Sequence, residues 1–190
     1  GSSWSQIGGD GLNSSWDGAY EAVYSIGVIG TDVYAGLGNG NGDGDLWRLQ
    51  SGTWSQIGGD GISGSWATGV GDVVYSLTTI GTSIYAGLYD TGGGGDVFAW
   101  NGSSWTVVGG QYINQSWGYY GQGSVETLQV AGSNLYAGIG SAAGSAQVWM
   151  WDGSNWQIIG GQGINASWQA NTYEQISSMS SHQGQLYVGL

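Results

Sequence analysis

A 51-residue step runs through this chain. Tyr34, Tyr85, Tyr136 and Tyr187 follow one another at that interval, the first three in Tyr-Ala-Gly-Leu or Tyr-Ala-Gly-Ile and the last in Tyr-Val-Gly-Leu. Trp54, Trp105 and Trp156 keep the step, and so do Trp66, Trp117 and Trp168. A fixed period of this size means one supersecondary unit used repeatedly, so the repeat decides the fold before any single segment does.

The second copy shows what the unit is. Runs rich in Val, Ile, Tyr and Trp, the residues strands favour, lie at 73–78, 84–88, 96–100 and 105–108. Between them stand Gly81-Thr82-Ser83, a glycine-rich loop at 90–95, and Asn101-Gly102-Ser103. These are turn signals, with Gly available for the left-handed position. Val97-Phe98-Ala99-Trp100 recurs one period later as Val148-Trp149-Met150-Trp151. The spacing therefore predicts four strands per copy, A to D, and no helix.

A longer link follows strand D, at 109–123 in the second copy. Each link carries one motif: Leu12-Asn13-Ser14-Ser15-Trp16, Ile62-Ser63-Gly64-Ser65-Trp66, Ile113-Asn114-Gln115-Ser116-Trp117 and Ile164-Asn165-Ala166-Ser167-Trp168. Three hairpin-linked strands, a fourth, and a long return link is the layout of a propeller blade. The expected fold is all-β, a single four-bladed β-propeller over 1–190 with blades at about 21–57, 72–108, 123–159 and 174–190. A β-solenoid or an open array is the alternative, and the long link argues against a solenoid.

Composition narrows the function. The chain has 13 Asp and Glu against one Arg, no Lys and a net charge of −12. Such a chain offers no cationic surface for phosphates, which argues against nucleic acid and anionic lipid as partners. No apolar run approaches the ~20 residues of a membrane span. It has no Cys and no Pro, so no disulfide framework and no thiolate metal site. The absence of Lys and the lack of a thiol fit an extracellular or cell-surface protein. The chain opens at Gly1 without a signal-like segment and is expected to be a mature or excised segment.

Leu135-Tyr136-Ala137-Gly138, then 148–156 with its Trp-Asp-Gly-Ser-Asn-Trp hairpin, then Ile158-Ile159-Gly160-Gly161, resembles the kelch-like repeats of bacterial extracellular β-propellers. In that family a Tyr-Val-Gly-Gly strand precedes a Trp-Asp-Gly-x-x-Trp hairpin and a Leu-Gly-x-Gly exit. The resemblance spans the whole chain and implies the propeller fold. For function it implies adhesion, scaffolding or occasional catalysis, since one fold hosts many activities. The Asn-x-Ser-Trp link departs from the family pattern.

The strand count is uneven. Residues 4–7 read as a lone strand D, expected to complete the last blade. Residues 174–179 and 186–190 read as A and B of the fourth blade. No segment supplies its third strand, which by the repeat would fall near 198–202. One reading makes residues 1–190 part of a longer array. Another has a neighbouring chain cover the open edge, since an unpaired edge is a template for another chain. A third closes the blade with three strands. The expected assembly edge is Trp4, Ile7, Leu186, Tyr187 and Leu190.

Three candidate sites follow from the repeat. Glu21, Asp72 and Glu174 share one repeat position at the start of strand A, where carboxylates around a channel mouth would hold calcium or another cation. Against this stands the reading that they are solvated strand-end acids. Asn39 to Asp45 spaces oxygen ligands on alternate residues as a calcium loop does, but the second copy keeps only Asp90 and Asp96. A flexible glycine loop explains it better. Finally, Asn13, Asn114 and Asn165 stand near Trp16, Trp66, Trp117 and Trp168 in a pattern that would stack and hydrogen-bond sugars once per blade. The competing reading makes Trp an inter-blade plug and Asn and Ser turn caps. Asn13, Asn101, Asn114 and Asn165 also satisfy the Asn-x-Ser glycosylation rule.

His182 is the single histidine, which leaves no basis for a Ser-His-Asp arrangement. The expected function is a non-enzymatic, self-associating structural propeller, a subunit of a surface layer or filament, without an obligatory cofactor. The alternative is a multivalent carbohydrate-binding lectin.

Overall fold

The computed structural model describes residues 3–18, 22–39, 43–67, 71, 73–90, 94–118, 123–169 and 172–190. They form an all-β structure of antiparallel units. The first unit is β1 (Ala22–Ile29), β2 (Asp32–Gly38), β3 (Leu46–Gln50) and β4 (Thr53–Gly58). The second is β5 (Val73–Ile80), β6 (Ser83–Tyr89), β7 (Val97–Trp100) and β8 (Trp105–Gly109). The third is β9 (Val125–Ala131), β10 (Asn134–Ile139), β11 (Gln147–Trp151) and β12 (Trp156–Gly160), and a hairpin follows, β13 (Ser178–His182) with β14 (Gln185–Gly189). Neighbours in sequence pair antiparallel within each unit. A single pairing, Gly38 with Val73, ties β2 to β5.

The units stack through their first strands. β1 packs beside β5, β5 beside β9 and β9 beside β13, while among the described residues no comparable packing joins β13 to β1. The arc of units is open. Its apolar core lies between units. Tyr34, Leu46 and Trp66 of the first unit and its link pack with Val74, Ile84, Phe98 and Trp105 of the second. Val97 and Trp117 repeat the arrangement against Val125, Leu135 and Trp156. Each unit thus buries its face only against a neighbour, as stacked repeats do.

The Tyr-Ala-Gly motif has a steric cause. A Cβ on Gly36 would lie 2.7 Å from Val74 Cγ1, on Gly87 2.6 Å from Val125 Cγ1, and on Gly138 2.6 Å from Ile176 Cγ2. Only a residue without a side chain lets the next unit approach that closely. A bulge in β1 between Val23 and Ser25, and in β5 between Val74 and Ser76, re-aims a serine at the same contact. Ser25 Oγ donates to the Val74 carbonyl at 2.9 Å, and Ser76 Oγ to that of Val125 at 3.1 Å.

Two segments differ from expectation. Residues 4–7 form no strand. A fourth strand takes its hydrogen bonds from a third, and among the described residues no third strand lies beside this segment, so its backbone has no ladder to join. Residues 174–177 are also irregular and β13 starts later, at Ser178. There Ser145 Oγ donates to the Glu174 carbonyl at 3.0 Å and Ile176 is buried under Gly138, so tertiary packing holds 174–176, while Ser177 N–H still donates to the Gly189 carbonyl of β14 at 2.9 Å.

Candidate functional site

The link motif is a set of ties between units. After β4 and β8 the chain makes a 3-10 turn, Ile62–Gly64 and Ile113–Gln115, with Leu12–Ser14 as the matching turn near the start. The motif serine caps it. Gly9, Gly59, Gly110 and Gly161 donate their backbone N–H to Ser15, Ser65, Ser116 and Ser167 Oγ at 2.8–3.0 Å. Asn13, Asn114 and Asn165 donate Nδ2 to the carbonyls of Ile7, Val108 and Ile159 at 3.0–3.2 Å. These amides are spent on local structure.

The motif tryptophans are clamped. Trp16 meets Trp54 at 5.1 Å and Trp47 at 6.0 Å, edge to face. Trp66 meets Trp105 at 5.5 Å and Phe98 at 5.3 Å. Trp117 meets Trp156 at 5.2 Å and Trp149 at 5.8 Å. Trp117 Nε1 donates to the Gly95 carbonyl at 2.6 Å and Trp66 Nε1 to that of Gly44. With Trp66 and Trp117 only 3% and 2% exposed, neither offers a free face for a sugar. The structure places these residues in the packing role that the sequence left as the competing reading. Trp16 and Trp168, at the two ends of the arc, are half-buried.

The strand-D tryptophans complete the tie. Trp54, Trp105 and Trp156 donate Nε1 to the carbonyls of Ile7, Ile57 and Val108 at 2.7–2.8 Å, each reaching into the preceding unit. They are 4%, 4% and 2% exposed, whereas Trp4, at the same repeat position, is fully exposed. Among the described residues Trp168 has no such partner. A cavity of about 180 Å3 lies beside it, lined by Val148, Ile159, Gly160, Ser167, Trp168, Leu186 and Val188.

The other end of the arc is bare as well. Val23 is 43% exposed although its counterparts Val74, Val125 and Ile176 are wholly buried, and Ile26 and Val28 stand 68% and 61% exposed. A cavity of about 210 Å3 opens here, lined by Ile7, Gly8, Trp16, Val23, Ile26, Val33, Ala35 and Trp54. Of the expected assembly edge, Trp4, Ile7, Tyr187 and Leu190 are exposed and Leu186 is half-buried in the hairpin core. Sequence reasoning named that edge but not the β1 face opposite it. The signal was there: Val23 occupies the repeat position of Val74.

The acidic candidates divide differently. Glu21 and Asp72 lie outside the described residues, and Glu174 is exposed. Among the described residues no three His, Asp or Glu side chains gather as a metal site. In the glycine-rich loops, residues 40–42 and 91–93 lie outside the description; Asn39 Nδ2 donates to Asp43 Oδ2 at 3.1 Å. Asp45 and Asp96 are instead core groups. Gln56 donates Nε2 to Asp45 Oδ1 at 2.7 Å. Val107 takes the place of Gln56 in the second unit, and Asp96 Oδ1 has no hydrogen-bond partner among the described residues. Burial, reinforced by the charge of Asp90, pushes the Asp96 carboxyl up to about 7. His182 is exposed at the end of β13, opposite Gln185.

Neither a family model nor a curated protein sequence matches the chain. Among solved structures it is similar to a fucose lectin from Kordia zhangzhouensis, in complex with methyl-fucoside. The TM-score is 0.42 at 12% identity, over 70% of this chain and 95% of that one. A likeness of this size says nothing of what this chain binds.

Proposed function

We propose that the chain is a non-enzymatic extracellular β-propeller of kelch-like repeats, four blades with the last one open, that associates with itself as a structural scaffold. The observation that carries this reading is the pair of bare ends. Val23, Ile26 and Val28 at one end, and Tyr187 at the other, are exposed at repeat positions whose inner counterparts are mostly covered by a neighbouring unit. Contiguous exposed apolar surface of this kind marks an interaction site. The two bare faces are the two halves of one contact already made inside the chain, so the surface that suits them best is another copy.

Electron microscopy of the purified protein at high concentration tests the reading. Rings, filaments or sheets are expected, and uniformly dispersed single chains would refute it. Carbohydrate binding, the alternative, has its most open copy of the motif at Trp168. The cavity there carries one polar side chain, Ser167, whereas a sugar site needs several convergent polar groups. A glycan array separates the two readings: strong binding, lost in Trp168→Ala, would favour the lectin.

A further inference from the structure

We infer that Trp4 of a second copy enters the cavity beside Trp168, just as Trp54, Trp105 and Trp156 enter their sites within the chain. This inference rests on the self-association reading and names its lock.

Four features of the vacant site match the occupied ones. The first is a glycine floor. A Cβ on Gly8 would lie 2.8 Å from Trp54 Nε1, on Gly58 3.2 Å from Trp105 Nε1, and on Gly109 2.7 Å from Trp156 Nε1. On Gly160 the nearest atoms are those of Trp168 and Val148, at 3.5 Å, with no second indole. The second is a carbonyl with a spare lone pair. Ile7 and Val108 each accept from an Asn amide and from an indole, at 3.2 and 2.7 Å and at 3.0 and 2.8 Å. The Ile159 carbonyl accepts from Asn165 at 3.0 Å, and no indole donor reaches it among the described residues. The third is an aromatic wall, Trp168, half-buried where Trp66 and Trp117 are enclosed. The fourth is volume: the cavity of about 180 Å3 compares with the roughly 150 Å3 that accepts a benzene ring in a protein core.

The same docking satisfies the opposite end. The β13–β14 hairpin of one copy would lie against β1 of the next. Val23 would then sit on Gly189, as Val74 sits on Gly36 and Val125 on Gly87. Ser178 Oγ, which already flanks Gly189, would donate to the Val23 carbonyl as Ser25 and Ser76 do to Val74 and Val125. One translation of the internal repeat thus joins donor and acceptor on both faces. Because among the described residues no packing comparable to that of β9 with β13 joins β13 to β1 of the same chain, the join runs head to tail between copies, a heterologous contact that builds a ring or a filament.

Sedimentation velocity over a concentration series, on wild type, Trp4→Ala, Trp4→Phe and Gly160→Val, tests this. Trp4 is fully exposed and a Cβ at Gly160 makes only ordinary contacts, so each variant should keep the wild-type circular dichroism and melting. Trp4→Ala should weaken association at least about 30-fold, as hot-spot truncation does. Trp4→Phe, which keeps a ring but loses the donor, should weaken it roughly 2- to 10-fold. Gly160→Val should block it from the other side. Assembly of Trp4→Ala and Gly160→Val at wild-type strength would overturn the lock while leaving self-association standing. A wild type that stays monomeric at every concentration would overturn the parent reading. A monomeric wild type whose Trp4 resists N-bromosuccinimide would show closure on its own chain and overturn the second copy.

Discussion

Replacing Asp96 by Asn should remove most of a pH dependence built into the second unit. The carboxyl is 6% exposed and one of its oxygens has no partner among the described residues, because Val107 stands where Gln56 serves Asp45. Burial first, and the Asp90 charge second, raise it from 3.8 to about 7. Between those two values the folded chain holds a proton that the unfolded chain has released. Stability therefore falls as pH rises through that window, and stays low above it. At about 1.4 kcal/mol per unit the full penalty is on the order of 4 kcal/mol, of which roughly 2–3 kcal/mol develops between pH 5 and pH 8. Asn keeps the shape without the charge. Urea unfolding followed by tryptophan fluorescence at pH 5, 6, 7 and 8 gives both profiles. The variant should gain on wild type by about 2–3 kcal/mol from the acid to the alkaline end. Val107→Gln should do part of the same by restoring the missing donor. Parallel profiles for wild type and Asp96→Asn would refute the argument.

Other substitutions probe the ties between units. Gly87→Ala places a methyl 2.6 Å from Val125 Cγ1 and should cost about 1–3 kcal/mol by overpacking, read as a lower melting temperature. Trp156→Ala should cost about 3–5 kcal/mol, and Trp156→Phe about 1 kcal/mol more than its volume loss alone, for the bond to Val108; denaturant titration separates them. Asp152 is held below the usual carboxylate range by the backbone N–H groups of Asn155 and Ser154. Asn101 accepts from Ser103 and Ser104 at the same repeat position. Asp152→Asn should therefore leave the turn and its hydrogen exchange unchanged, while Asp152→Ala speeds exchange at Ser154 and Asn155.

The strands were legible because β-branched and aromatic runs alternate with glycine turns at a constant step. β6 and β8 fall within a residue of their expected bounds at each end. The bulges at Ser25 and Ser76 were not, since they break the alternation that a strand reading relies on. The Asn-x-Ser-Trp link was legible as a unit but ambiguous in role. An indole beside an amide and a hydroxyl suits a sugar and suits an inter-unit plug equally. Only the burial of Trp66 and Trp117 separates the two. Residues 4–7 were misread because strand propensity is local, whereas a strand needs a neighbour to pair with. That β13 and β14 stand without a third strand among the described residues was legible from the count of strands. The bare face of β1 was not, because exposure of Val23 and Ile26 depends on what lies beside them in space.

In the proposed assembly the two ends of this arc are halves of one contact. Static light scattering on the wild type, from micromolar to millimolar concentration, measures it directly. The mass should climb to twice the monomer or beyond, and return to the monomer value in Trp4→Ala. A wild-type mass fixed at one chain across the whole range would contradict it.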